Sequence, residues 1–129
     1  MSEINTVAVD LHVKRYSDFD LLRIAKAVNH EYEGLVTAFL LNVHIHACSA
    51  VGVVFGHLCA KINPRFSDGR LLQTSDIQSV IKEGKFWVIT TVTSRYVIAT
   101  FRRDVGRRSL HEFLRIAGDR YIPTPRRLQ

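Results

Sequence analysis

The stretch GLVTAFLLNVHIHACSAVGVVFGHLCAKI, residues 34–62, decides the fold, because it carries no charged side chain before Lys61. Within residues 41–48 the apolar side chains share one parity and the polar ones the other: Leu41, Val43, Ile45 and Ala47 alternate with Asn42, His44, His46 and Cys48. Successive side chains of a strand point to opposite faces of its sheet. The alternation therefore predicts a strand that is buried on one face and polar on the other.

The second half of this stretch completes a hairpin. Residues 51–55 are mostly valine, which favours strands, and Gly52 and Gly56 would each weaken a helix interior by about 1 kcal/mol. Ser49 and Ala50 can form the turn. A charge-free run of this length is also typical of membrane-spanning helices. Its three histidines would be costly at membrane depth, so we predict buried sheet core and no membrane association.

One strand and one helix are predicted before the hairpin. Valine and leucine at positions 7, 9, 11 and 13 share one parity, and Asp10, His12 and Lys14 share the other, as in an amphipathic strand. Ser17 is suited to cap a helix whose first turn carries two aspartates, where the helix dipole favours negative charge. Apolar residues recur at helical spacing as far as Tyr32, and Gly34 supplies a C-terminal stop.

A loop, three strands and a helix are predicted after the hairpin. Residues 63–70 are rich in turn-forming residues. Three β-branched or aromatic runs, separated by turns of hairpin length, predict a meander over residues 77–82, 86–92 and 96–101. Ser109 and Glu112 have the spacing of a capping box at the start of the last helix, which Gly118 would end.

Together these elements predict an α+β fold with the order β-α-β-β-β-β-β-α. The sheet is expected to be mainly antiparallel, with about five to six strands and both amphipathic helices packed on one face. Residues 1–122 form a single domain in this interpretation, and residues 123–129 form a basic extended tail.

The composition is that of an ordinary globular protein, with 129 residues, 47% hydrophobic and 23% charged. The first residues do not combine a basic head with an apolar run, and a chain of this size does not require its two cysteines to form a disulfide. We therefore expect a cytoplasmic protein.

The net charge of +6 is concentrated near the carboxyl end, where residues 102–129 carry eight arginines against three acidic residues. Four of the arginines flank the predicted start of the last helix, where backbone N–H groups also attract anions. Arginine forks match phosphate and carboxylate groups bidentately. We predict that an anionic partner docks on these eight side chains: Arg102, Arg103, Arg107, Arg108, Arg115, Arg120, Arg126 and Arg127.

Five metal-capable side chains lie across the predicted hairpin: His44, His46, Cys48, His57 and Cys59. Zinc takes four such ligands in a tetrahedron. The spacing matches none of the usual zinc patterns, however, and buried cysteines commonly behave as small hydrophobic residues. We therefore predict no metal site and no cofactor, and a metal, if bound, would use these five residues.

No P-loop, glycine-rich dinucleotide motif or nucleophile elbow occurs in the sequence, so an enzyme is not predicted. We predict a small non-enzymatic binding module that docks nucleic acid or an acidic protein surface through its arginine-rich carboxy-terminal third. Two alternatives use the polar face of the sheet. One is a protein–protein adaptor or homodimer on the exposed sheet face, and the other is a ligand-binding domain or enzyme on the His-lined face.

Overall fold

A computed structural model describes residues 16–117. Its elements follow the order α-β-β-β-β-β-β-α in a single α+β domain: α1 (Asp18–Asn29), β1 (Ala38–His46), β2 (Ser49–Phe55), β3 (Leu71–Gln73), β4 (Ser79–Glu83), β5 (Phe86–Thr90), β6 (Arg95–Ile98) and α2 (Gly106–Ala117). The predicted strand over residues 7–13, the helix stop at Gly118 and the tail at 123–129 lie outside the described residues.

The six strands form one sheet in the order β3-β2-β1-β6-β5-β4. All neighbouring strands are antiparallel except β1 and β6, which pair in parallel with Leu40 opposite Ile98. The sheet is therefore mixed and mostly antiparallel. The first and last strands of the described residues, β1 and β6, lie at its centre, and the hairpin and the meander extend from them in opposite directions.

The central hairpin is confirmed, but its turn lies at Ala47 and Cys48, between His46 and Ser49, and the predicted turn at Ser49 and Ala50 is wrong because both residues belong to β2. A β-bulge, however, interrupts β1 between Leu41 and His44, where Asn42 has a φ of 56°. A bulge inserts one extra residue and reverses the side-chain parity beyond it. The prediction that Leu41, Val43 and Ile45 share a face is therefore wrong, because Leu41 packs on one side of the sheet and the other two on the opposite side.

The two helices pack on opposite faces of the sheet, so the prediction of both helices on one face is wrong. Alternate residues of β5 belong to two separate core clusters, with Val88 in one and Ile89 in the other. The α1-side cluster contains Ala27 of α1, and the α2-side cluster contains Leu110 of α2. The physical reason is that the central strands are apolar on both faces. Each face is therefore buried by packing against a helix, which removes it from water.

The connection from β3 to β4 joins the two edges of the sheet, because β3 and β4 are its outermost strands. Ile77 in this connection is 1% exposed and belongs to the α2-side cluster, and its N–H donates to the Cys48 carbonyl at 2.7 Å. The short edge strand β3 was not predicted. The expected loop before it contains a 3-10 turn at Pro64–Phe66.

The predicted cap of α1 is confirmed, because Ser17 and Asp20 accept hydrogen bonds from each other's backbone N–H groups. The helix ends at Asn29, before the predicted stop at Gly34. Tyr32 nevertheless packs against the α1 side of the sheet, and its hydroxyl donates to the Ala27 carbonyl at 2.7 Å.

The predicted capping box of α2 is wrong. The helix begins at Gly106, and Ser109 lies inside its first turn. The Ser109 hydroxyl accepts from the backbone N–H of Ile45 at 2.7 Å and donates to the Gly106 carbonyl at 2.6 Å. Ser109 therefore ties α2 to β1 instead of capping the helix. Neither α2 nor α1, the two α-helices within residues 16–117, is long and apolar enough to cross a membrane.

Candidate functional site

Four of the predicted arginines lie between the end of β6 and the first turn of α2. Arg102, Arg103, Arg107 and Arg108 are all exposed. Arg115 is exposed farther along α2, where its side chain forms an ion pair with Glu112. The remaining three, Arg120, Arg126 and Arg127, lie outside the described residues.

The turn before α2 is pressed closely against β1. The Arg102 N–H donates to the Val43 carbonyl at 2.9 Å, and the Gly106 N–H donates to the Arg102 carbonyl at 2.8 Å. A Cβ at Gly106 would meet that same Val43 carbonyl and would come within 2.9 Å of the Phe101 side chain. Glycine therefore permits the close approach that fixes where Arg107 leaves the backbone.

Arg107 lines a cavity of about 440 Å³ at the end of the sheet. The start of α1, the β4–β5 hairpin, the end of β6 and the first turn of α2 form its walls: Phe19, Arg23, Lys82, Lys85, Ala99, Thr100, Phe101 and Arg107. Four of these eight residues are basic. No Asp or Glu of the described residues lines the cavity.

A second cavity, of about 720 Å³, lies between α1 and the β4–β5 hairpin and shares Arg23 and Lys85 with the first. Lys26 and His30 line it as well, and here too none of the described residues in the lining is acidic. We call the two cavities together the basic groove. Its five cations are Arg23, Lys26, Lys82, Lys85 and Arg107.

Arg23 is the most constrained cation of the groove. Its Nε donates to the Ala99 carbonyl at 3.0 Å and one Nη donates to the Lys85 carbonyl at 3.4 Å. The guanidinium carbon lies 4.4 Å from the centre of the Phe86 ring. These contacts use part of the five-donor fork and fix its plane, which leaves other donors for a ligand.

Two other groove cations also lie over aromatic rings. The Lys82 ammonium is 5.3 Å from the centre of the Trp87 ring, and the Arg107 guanidinium is 4.6 Å from the centre of the Phe101 ring. A cation over an aromatic face is stabilised by the quadrupole of the ring. The rings therefore help to hold the charges in position without neutralising them.

None of the five groove cations forms an ion pair with a carboxylate of residues 16–117. The ion pairs in this part of the chain are Glu83–Arg95 and Glu112–Arg115, and none of these four residues lines either cavity. Unpaired charges of one sign in a concave site add to a positive potential that attracts anions. The groove is thus suited to bind a negatively charged group.

Four of the five groove cations were not predicted from the sequence: Arg23, Lys26, Lys82 and Lys85. They lie in parts of the chain whose overall charge is close to balanced, and Arg107 follows Arg23 by more than eighty residues. Lys82 and Lys85 flank a tight turn, where exposed lysines are common. Only the packing of α1 beside the β4–β5 hairpin brings these charges together.

The histidines and cysteines do not form a metal centre in the described residues, where no group of three or more potential metal ligands occurs. His46, Cys48 and Cys59 are exposed. His44 is half-buried, and its pKa is lowered first by burial and then by the positive charges of Arg102 and His46.

His57 has a structural environment. It is 8% exposed and stacks on Phe66 with the ring centres 4.0 Å apart. Its Nδ1 accepts a hydrogen bond from the Cys59 N–H at 3.0 Å, which requires that nitrogen to be unprotonated. Burial lowers the pKa of His57, in agreement with a neutral ring.

Comparisons with known proteins find no matching family model, no similar curated protein and no similar solved structure.

Proposed function

We propose that this chain is a non-enzymatic binding module that docks an anionic partner in the basic groove. The observation that carries the proposal is the convergence of five cations, from three separate parts of the chain, on two connected cavities without an acidic residue in the described lining. Of the arginines predicted from sequence, Arg107 enters this groove directly. Arg102, Arg103 and Arg108 are its exposed neighbours along the chain and line neither cavity.

Preorganisation supports the same proposal. Side chains that must be ordered on binding lose conformational entropy, which weakens affinity. Arg23 is already fixed by two carbonyl groups and a ring, and Arg107 lies against Phe101. A ligand therefore meets charges whose positions are largely set before it binds.

The helix positions make the two alternative functions less favourable. Both alternatives use an uncovered sheet face, for dimerisation or for a His-lined site. In the described residues a core cluster and a helix lie on each face of the sheet. The basic groove, by contrast, is open and charged.

The test compares two doubly neutralised variants. Lys82→Gln/Lys85→Gln removes two charges from the groove, and Lys61→Gln/Arg65→Gln removes two exposed charges that line neither cavity. Binding of fluorescein-labelled heparin oligosaccharide, polyglutamate and oligothymidylate is measured by anisotropy at low salt. Circular dichroism and melting temperature establish that both variants are folded.

We expect the parent to bind at least one of these polyanions. The groove variant should bind that polyanion about 5- to 20-fold more weakly, since each exposed charge contact contributes modestly. The control variant should retain nearly all of the affinity. Equal losses in the two variants, or a parent that binds none of the three polyanions, would contradict the proposal.

A further inference from the structure

We infer that the anionic partner is single-stranded nucleic acid, with phosphates along the groove cations and an unpaired base on the ring of Phe19. This inference rests on the proposed function and adds the chemical class of the partner. It depends on three features of the groove: its length, its aromatic lining and the exposure of one ring.

The groove is elongated, because two cavities meet at Arg23 and Lys85. Lys26 lies on the α1 side of this junction, while Lys82 and Arg107 line the cavity on the other side. A single small anion would use only part of such a row of charges. A chain with a negative charge on every repeating unit can contact the cations along the whole groove, as phosphodiester backbones do in single-strand binding proteins.

Aromatic rings accompany three of the five groove cations, and two of these rings, Phe86 and Phe101, line the groove. Phe86 lies beneath Arg23, Trp87 beneath Lys82 and Phe101 beneath Arg107. A guanidinium held over a ring is itself planar, and a base can stack on it. A positive groove interleaved with aromatic side chains is the recurring arrangement of proteins that bind single strands.

Phe19 is the ring that a base can reach. Its side chain is 63% exposed, and it lines the cavity that contains Arg23 and Arg107. A ring in this position is exposed to water beside charges that attract a polyanion. Stacking against a base would remove its apolar face from water while the phosphates remain near the cations.

These features favour a single strand over the other polyanions. An acidic protein surface would pair with the arginines and lysines but has no planar bases for Phe19. A nucleic-acid duplex keeps its bases stacked inside, so it can offer only its backbone to the groove. Unpaired bases use both the charges and the exposed ring.

The test measures binding of the full chain to four probes of similar charge. They are a labelled oligothymidylate of twelve nucleotides, an abasic phosphodiester strand of the same length, a nucleic-acid duplex and polyglutamate. We expect the oligothymidylate to bind about fivefold or more tightly than each of the other three, because only this probe has bases free to stack.

Phe19→Ala separates base stacking from charge. We expect it to weaken binding of the oligothymidylate about 5- to 160-fold, the range for loss of one stacked base, and to leave binding of the abasic strand unchanged. Leu35→Ala is the matched control, since Leu35 is 75% exposed and lines neither cavity. This control should not change the affinity for either strand.

Two outcomes would overturn the inference while leaving the proposed function intact. In the first, polyglutamate, the duplex or the abasic strand binds in the groove as tightly as the oligothymidylate does. The second is an unchanged affinity of Phe19→Ala for the oligothymidylate. Failure of all four probes to bind would overturn the proposed function together with the inference.

Discussion

Arg23 lies over Phe86, with its guanidinium carbon 4.4 Å from the ring centre and its Nε 3.0 Å from the Ala99 carbonyl oxygen. The contact joins α1 to β5 and to the end of β6. It also places a fixed positive charge, unpaired with any carboxylate of residues 16–117, where the two cavities of the basic groove meet. Arg23 therefore contributes both to packing and to the proposed binding surface.

Arg23→Lys is expected to weaken polyanion binding several-fold although it preserves the charge. Lysine has no planar fork, so it cannot lie on Phe86 while it donates to the Ala99 carbonyl and to a ligand. The affinity is measured by anisotropy with the polyanion that the parent binds. Arg65→Lys, at an exposed position outside the groove, should bind as tightly as the parent. Equal affinity of Arg23→Lys and the parent would show that the geometry of Arg23 is not used.

Two arginines on α2 should differ in their effect on binding. Arg107→Gln removes a cation that lines the groove, whereas Arg115→Gln removes one that is already paired with Glu112. We expect Arg107→Gln to weaken polyanion binding. It should also lower the slope of log affinity against log salt concentration by about one unit, the value for one lost phosphate contact. Arg115→Gln should change neither quantity. The prediction is wrong if the two substitutions have the same effect on the salt slope.

Gly106→Ala is expected to destabilise the protein by about 1–3 kcal/mol, the usual range for overpacking. Alanine is the better helix former, so helix propensity alone predicts the opposite sign. A Cβ at this position would meet the Val43 carbonyl and the Phe101 side chain. Denaturant unfolding measures the free energy of unfolding, with Val105→Ala at the exposed neighbouring position as the control. A stabilised Gly106→Ala protein would show that the turn is not tightly packed on β1.

The sequence pattern predicts local elements better than it predicts their arrangement. The α1 cap at Ser17 and the central hairpin depend on contacts between near neighbours, and both were predicted correctly. The bulge at Asn42 was not predictable from alternation, because Leu41, Val43 and Ile45 keep an unbroken two-residue spacing across it although Leu41 packs on the opposite face. The parallel pairing of β1 with β6 depends on residues more than fifty positions apart.

The candidate site illustrates the same limit. Arg107 was predicted because several arginines occur together in the sequence, which is a local signal. Arg23 and Lys82 give no such signal, since one lies on an amphipathic helix and the other on an edge strand. Their proximity follows from packing α1 on the face opposite to α2, and an amphipathic pattern does not specify which face a helix covers.

His57 is expected to make the stability of the protein depend on pH. Burial lowers its pKa in the folded state below the usual value of 6.5. The unfolded chain therefore binds a proton more readily, and the stability present above pH 6.5 should decrease as the pH falls through that value. Urea unfolding at pH 7.5 and pH 5.5 measures this loss.

His57→Asn is the variant that tests this prediction. Asparagine offers an oxygen that can accept from the Cys59 N–H, but it does not titrate. The variant should lose less stability than the parent between the two pH values. Some loss should remain, because the pKa of His44 is lowered as well. An equal loss in parent and variant would assign the pH dependence to other groups.

The most direct test of the basic groove is a titration of the isotopically labelled protein with tripolyphosphate, followed through its backbone amide resonances. This small polyanion reports where negative charge binds, whatever the natural partner is. We predict that the largest shift changes occur in α1 near Arg23, in the β4–β5 hairpin and around Arg107. Shift changes spread evenly over all exposed cations, or concentrated near Lys61 and Arg65, would contradict the account.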